Sequence, residues 1–297
     1  MKQTVNVKPA LLALIYAFLL SACEKAVIDE SNGDGNFHVS VFEIEKTPFA
    51  SLTRGDTRLP TRAAEPLSEV CTRLNFAIYS PEGTRVKQTN QTSGDDDFGN
   101  VSFKLEKGNY QLLVVAHSAG GNPTMTNPSK IQFTNATGYT DTFIYKGSVT
   151  IGDEQVSLQV SLERIVAMCR FVITDDIPTD VATMQFHYTG GSGCFDASTG
   201  LGSVASKQTA TFDVSSGVKQ FDLYTFLHDR EGDIALKATA LDAGGNTLYE
   251  RDFEVPMERN RITWLAGVFF TGANMGQMSI GAAPVDTAWE GETHLTF

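Results

Sequence analysis

"QVSLQVSLERIVAMCRFVITDD", residues 155–176, alternates apolar and polar side chains almost without a break. A period of two sends successive side chains to opposite faces of an extended chain, so the stretch reads as β-strand. It is far longer than an ordinary strand of about 5 or 6 residues. It therefore reads as two strands, one closing a first domain and one opening a second, with the boundary near Glu163. The same alternation recurs from Phe37 to the C-terminus, and long helical patterns are hard to find. In "VCTRLNFAIYS" the residues Val70, Leu74, Phe76 and Ile78 share one face, with Cys71 on the other. "SPEGT" turns the chain; Val101, Phe103 and Leu105 then face inward, and after Gly108-Asn109 so do Tyr110, Leu112, Val114 and Ala116. Further on, "TMQFHYTG", "TATFDVSS", "KQFDLYTFLH", "DIALKATALD", "TLYERDFEV" and "RITWLAGVFF" read as strands, with Ala243-Gly244-Gly245-Asn246 as a turn. Regular strands with short polar turns predict an all-β chain of two tandem antiparallel β-sandwiches, residues 37–162 and 163–297.

Ahead of the first strand the pattern changes. Lys2 and Lys8 precede an unbroken apolar run from Ala10 to Leu20, which stops at Ser21-Ala22-Cys23 and turns acidic. The run is shorter than the roughly 20 residues a membrane span needs. Residues 1–22 therefore read as a signal peptide, and Leu20-Ser21-Ala22-Cys23 has the form of a bacterial lipobox. Cleavage is expected between Ala22 and Cys23, with lipid on the Cys23 thiol. Each buried methylene contributes about 0.8 kcal/mol, so one long acyl chain such as palmitate gives on the order of 10 kcal/mol before entropy losses. Residues 23–36, acidic and glycine-containing, read as a flexible tether. "FASLTRGDTRLPTRAAEP", residues 49–66, shows little alternation and reads as an exposed linker within the first domain. The tail "VDTAWEGETHLTF", residues 285–297, reads as a last edge strand or a segment offered to another chain.

Charge excludes one class of partner. The chain holds 23 basic and 35 acidic residues; without Lys2 and Lys8 the balance is 21 against 35, a formal −14. Clustered Lys and Arg are missing, so nucleic acid is not an expected partner. Beyond Cys23, the residues Cys71, Cys169 and Cys194 are an odd number with no CxxC spacing, which permits at most one disulfide. Cys169 shares an alternation phase with Ile165, Ala167, Phe171 and Ile173 and reads as a small buried hydrophobe.

Catalytic patterns are weak. "TGGSGC", residues 189–194, has Cys194 where a nucleophile elbow needs glycine, and reads as a Gly-rich hairpin turn. His38, His117, His187, His228 and His294 are scattered without ligand spacing, and Asp95-Asp96-Asp97 lacks the period of a calcium loop. Arg54-Gly55-Asp56 spells an adhesion tripeptide, but three residues recur by chance and the linker explains their exposure. No enzyme, cofactor or metal is expected.

Several stretches taken together resemble the FimB-like fimbrial anchor and subunit lipoproteins of the Bacteroidetes (type V fimbriae). They are "VCTRLNFAIYSPEGTRVK", "GNYQLLVVAHSAGGNPTMTNPSKIQFTNATGYTDTFIYKG", "LERIVAMCRFVITDDIP", "MQFHYTGGSGCFD" and "ERNRITWLAGVFF", spread in order from Leu67 to Phe270. The acidic residues after Cys23 likewise resemble the surface-export signal of lipoproteins from that phylum. The resemblance implies transthyretin-like sandwiches, an outer-membrane location through the lipid on Cys23, and fimbrial stalk subunits as partners. It also implies contact with host or bacterial surface ligands through the fimbria. Its anchor members hold the fibre to the cell and limit its length. Stalk and tip members are matured by a cut after arginine, which makes Arg54, Arg58 and Arg62 candidate protease sites. In that scheme Phe37, Val39, Val41 and Ile44 form the first strand, and an anchor keeps it. The other readings are a cleaved stalk or tip subunit, and a non-fimbrial surface lipoprotein that binds glycan or a host ligand.

Overall fold

The computed structural model of the protein describes residues 35–45, 66–271 and 289–297. Ala22, Cys23, Arg54, Arg58 and Arg62 lie outside the described residues, as do residues 285–288 of the tail. Strand β1 (Phe37–Glu45) comes first, then one helical turn, α1 (Leu67–Val70), and β2 (Arg73–Tyr79), β3 (Arg85–Thr92), β4 (Asn100–Phe103) and β5 (Gly108–His117). The short β6 (Thr124–Asn127) and β7 (Lys130–Gln132) precede the long β8 (Thr142–Ile151) and β9 (Val156–Arg164). Next come β10 (Ala167–Ile173), β11 (Thr183–Thr189), β12 (Cys194–Asp196), β13 (Leu201–Gly202) and β14 (Gln208–Asp213). The chain ends with β15 (Gln220–Thr225), β16 (Glu231–Leu241), β17 (Thr247–Glu258), β18 (Arg261–Gly267) and β19 (Gly291–Thr296). The quoted 155–176 stretch is indeed two strands, β9 and β10, parted at Ile165-Val166.

Seven strands form one sheet in the order β3-β2-β5-β8-β9-β1-β4. Strands β8 and β9 pair only at Phe143–Arg164 and Ile144–Glu163, so the sheet turns a corner there and folds over itself. Between its layers lie Phe37 and Val39 of β1, Leu74, Phe76 and Ile78 of β2, Leu112, Val114 and Ala116 of β5, and Val160 and Leu162 of β9. These are alternate residues of each strand, as the period of two requires. The intervening Ala77, Tyr79, Leu113 and Val115 are also buried, in a different core. Strands covered on both faces read as continuous apolar runs, which is why "LLVVA" lacks alternation.

The second sandwich packs a sheet of order β15-β10-β18-β19 on one of order β14-β11-β16-β17. Its core centres on Phe171, whose ring lies 5.1 Å from Phe186, 5.5 Å from Phe253, 6.0 Å from Phe269 and 5.1 Å from Phe297. A third small sheet, β13-β12-β7-β6, takes two strands from before Glu163 and two from after it. Beneath it Tyr79, Leu113, Val115, Ile131 and Phe133 pack with Ile165, Val166, Met168, Phe195 and Ile262. Most ladders are antiparallel; β1–β9, β10–β18 and β18–β19 are parallel. Alternation reports a strand and its faces, not the direction of its neighbour, so these three pairings had no signal in the sequence.

Four local expectations change. Cys71 is buried in the same core as Leu74, Phe76 and Ile78, because it closes α1 and is not part of β2. Its thiol donates to the Leu67 carbonyl at 3.6 Å, and burial pushes its pKa up to about 12. Ile165 joins the third core, apart from Ala167, Cys169, Phe171 and Ile173, since the break between β9 and β10 shifts the phase. "TGGSGC" is no hairpin: it carries the chain from β11 to β12, which lie in different sheets. Gly190 sits at φ +94, and a Cβ on Gly191 would strike Thr225, so both positions need glycine. Finally, Gly35 and Asn36, expected in the tether, belong to the folded body. Cys71, Cys169 and Cys194 are all buried and free.

Candidate functional site

Asn36 fixes the N-terminal end of the described fold. Its side-chain amide donates to the Leu105 carbonyl at 2.8 Å, and its side-chain oxygen accepts the Leu105 N–H at 2.9 Å. Its own N–H donates to Phe103 O at 3.0 Å, and its carbonyl accepts the Val156 N–H at 2.9 Å. One residue thus bonds both neighbouring strands before β1 has begun. A Cβ on Gly35 would collide with Ser102, so the approach admits only glycine. A Gly-Asn pair reads as loop in a sequence; the backbone groups it meets, on Phe103, Leu105 and Val156, are some 70 to 120 positions away.

Strand β1 then runs between two partners, parallel to β9 and antiparallel to β4. Phe37 stands opposite both Val156 and Phe103, and its ring stacks on Phe103 at 6.2 Å. Phe37, Val39, Val41 and Ile44 all face the core, the set expected of a first strand. The step from Val41 to Ile44 breaks strict alternation, and the ladder shows why: the register slips between Val41 and Glu43. Phe42 is the extra residue of that bulge and is 70% exposed.

The end of β9 carries a second knot. Arg164, 4% exposed, forks onto Asp141 with two bonds of 2.7 Å and reaches Asn260 Oδ1 at 3.2 Å. Its guanidinium also lies 3.9 Å from the Trp289 ring and 4.8 Å from that of Phe143. A buried cation so fully paired is costly to disturb, and this one ties β8 and β9 to the β17–β18 turn and the lead into β19. Asn260 adopts φ 58 in that turn. Sequence reading missed Arg164, which sits in plain alternation; its only signal was a charge on a phase otherwise apolar.

The residues scanned for chemistry stay apart. Ser192 is fully buried; its hydroxyl donates to Cys194 O at 2.7 Å and accepts N–H bonds from Cys194 and Val204. It is a structural pin. His117 lies within the first half, its Nδ1 accepting the Ala119 N–H and its Nε2 bonded to Asn75. Burial, with help from the Arg73 charge, lowers its pKa to about 4, so it is neutral at ordinary pH. Asp95, Asp96 and Asp97 are exposed, and Asp95 receives the Thr92 N–H. Among the described residues no group of His, Cys, Asp and Glu could hold a metal ion, and no helix is long and apolar enough to cross a membrane. What the site offers is a clamped strand, paired on both sides, at the N-terminal end of the described fold.

No curated protein matches the chain. Among solved structures, a proposed adhesin of Bacteroides ovatus is 16% identical at a TM-score of 0.44, covering 63% of this chain and 77% of its own. The fimbrial anchor protein Mfa2 of Porphyromonas gingivalis is 11% identical at 0.36, covering 73% and 81%. A fimbrial assembly protein of Parabacteroides distasonis is 13% identical at 0.36, covering 78% and 89%. A family model described as a family of unknown function (DUF6562) matches residues 38–296, from the second residue of β1 to the last of β19, and the chain belongs to that family.

Proposed function

We propose that this protein is an outer-membrane lipoprotein that acts as a structural subunit of a surface fimbria, as the anchor joining the fibre to the cell. Three supports converge: the lipobox ending at Cys23, the ordered resemblance from Leu67 to Phe270, and the seating of β1. The last carries the reading. Asn36 follows Cys23 by 13 positions, a reach of at most about 45 Å in extended chain. Force drawn along that tether arrives at a strand bonded on both sides, with Phe37 and Val39 buried beneath it. An anchor needs such a seat. The stalk subunits bind elsewhere on the body and pull against it.

The seat also alters what a cut in the linker would do. Cleavage after Arg54, Arg58 or Arg62 breaks the covalent path from Cys23 to both sandwiches, yet β1 lies on the lipid side of all three. Its two ladders would hold the nicked body until the strand slid out. An anchor therefore keeps its linker whole, whereas a stalk or tip subunit uses the cut. The mass and first residue of the membrane-extracted protein test this. A lipid-modified Cys23 followed by the intact chain is expected. A chain starting at Gly55, Leu59 or Ala63 would transfer the protein to the stalk or tip class, and a Cys23→Ala protein that stayed on envelopes would remove the lipid tether altogether.

A further inference from the structure

A cleft of about 690 Å³ opens between the loop after β7 and the strands β14 and β15. That volume falls within the roughly 300–1,000 Å³ of small-molecule sites. One wall is the loop 134–140, which is tied down by hydrogen bonds. Thr134 and Thr137 bond each other through backbone and hydroxyl groups, and Gly120 N–H donates to Thr137 O at 2.7 Å. Asn135 fixes the loop to β14: its amide donates to Lys207 O at 3.1 Å, and its oxygen accepts the Thr209 N–H at 3.0 Å.

Its chemistry is unlike that of the rest of the surface. The protein is strongly acidic, but among the described residues the only charged side chain lining the cleft is Asp222. Arg170 forks onto that carboxylate at 2.7 and 2.8 Å, so the pair presents little net charge. The remaining polar groups are hydroxyls and amides, among them Thr140, Thr211 and Gln220, beside the partly exposed rings of Tyr139 and Tyr224. Among these groups an anion finds no free cation, and a cation finds no free carboxylate. Neutral hydrogen-bonding groups next to aromatic faces suit a ligand that has hydroxyls on its rim and C–H groups on its faces.

We infer that this cleft binds a short neutral oligosaccharide. An extended peptide is the competing occupant, since β14 and β15 are both sheet edges. The edge groups at the head of the cleft are already taken, however: Asn135 occupies those of Lys207 and Thr209, and the Tyr188 hydroxyl and Gln208 amide both donate to Tyr224 O. An added strand would find no continuous ladder. A saccharide needs none.

This proposal does not depend on the anchoring reading; lipid on Cys23 and sugar in the cleft are measured separately. The test titrates the ¹⁵N-labelled protein with maltotriose, cellotriose, mannotriose and triacetylchitotriose, with sialyllactose as the acidic control. At least one neutral trisaccharide is expected to shift amides of residues 134–140 and 220–224. Ala136→Arg, at an exposed lining position, should weaken that binding at least about tenfold, and Gln220→Ala several-fold. Melting temperatures of the variants should match the parent. No shift from any neutral sugar, shifts confined to another surface, tighter binding of sialyllactose, or undiminished binding by both variants would each overturn the proposal. If Ala136→Arg lowers the melting temperature, Gln220→Ala and the shift map decide.

Discussion

The two terminal strands are built alike and placed differently. Both β1 and β19 lie parallel to a neighbour, β1 on β9 and β19 on β18. Yet β1 is interior, with β4 on its other side, while β19 is the edge of its sheet. The first strand buries Phe37 completely and Val39 almost so. The last buries Leu295 at 7% exposure and part of the neighbouring Phe297, which rests against Phe171 and Phe253. A strand held by two ladders and a full core face leaves only when much of its sandwich opens. An edge strand can peel one bond pair at a time. The difference makes β1 the harder of the two strands to remove from its sheet.

That contrast can be broken by measurement, and the largest effect is expected at Phe37. Phe37→Ala removes a fully buried ring stacked on Phe103 and should cost about 4 kcal/mol in urea unfolding. A loss below that of any β19 variant would refute the ranking.

Acid sharpens the comparison through a buried histidine of the first half. The His117 pKa is about 4 in the fold against 6.5 when exposed, so the unfolded chain takes up a proton first as pH falls. Stability from this group is complete above about pH 6.5 and drains away between there and pH 4, by on the order of 3 kcal/mol. His117→Gln keeps a side chain that can bond Asn75 but cannot titrate. The gap between parent and variant should change over that pH window, and a constant gap would show that His117 is not the titrating group.

The smallest effect is expected at the C-terminus. Phe297→Ala leaves Phe171 packed by Phe186 and Phe269 and should cost about 2 kcal/mol, since the ring is partly exposed already. Amide exchange should then rise in β19 before β18. Equal protection in both strands would show that β19 is held no less firmly than its interior neighbour.

Much of this was legible from local pattern. The inward faces of β9 and β10 follow from alternation, and Phe37, Val39, Val41 and Ile44 stand out as one inward set before any partner is known. The turn at Asp242–Asn246 announces itself through Gly244-Gly245, and the structure adds only the Asp242 carboxylate that holds the Gly244 and Asn246 N–H groups. Other features left no such trace. The Asn36 clamp depends on Leu105, the Arg164 knot on Asp141, Asn260 and Trp289, and the cleft on a loop meeting strands some 70 to 90 positions later.

The sequence by itself determined that the chain is built of strands, that one face of several of them is apolar and turned inward, and that an apolar run stops just short of Cys23. Those properties depend on neighbours one or two positions apart, where side-chain direction and hydropathy are set by covalent geometry. Only the tertiary structure decided which strands are parallel, that β1 lies inside its sheet and β19 at an edge, and which polar groups meet at Asn36, Arg164 and the cleft. Pairing is made by backbone N–H and C=O groups, which nearly every residue carries, so the identity of a strand's neighbour is written in no single segment.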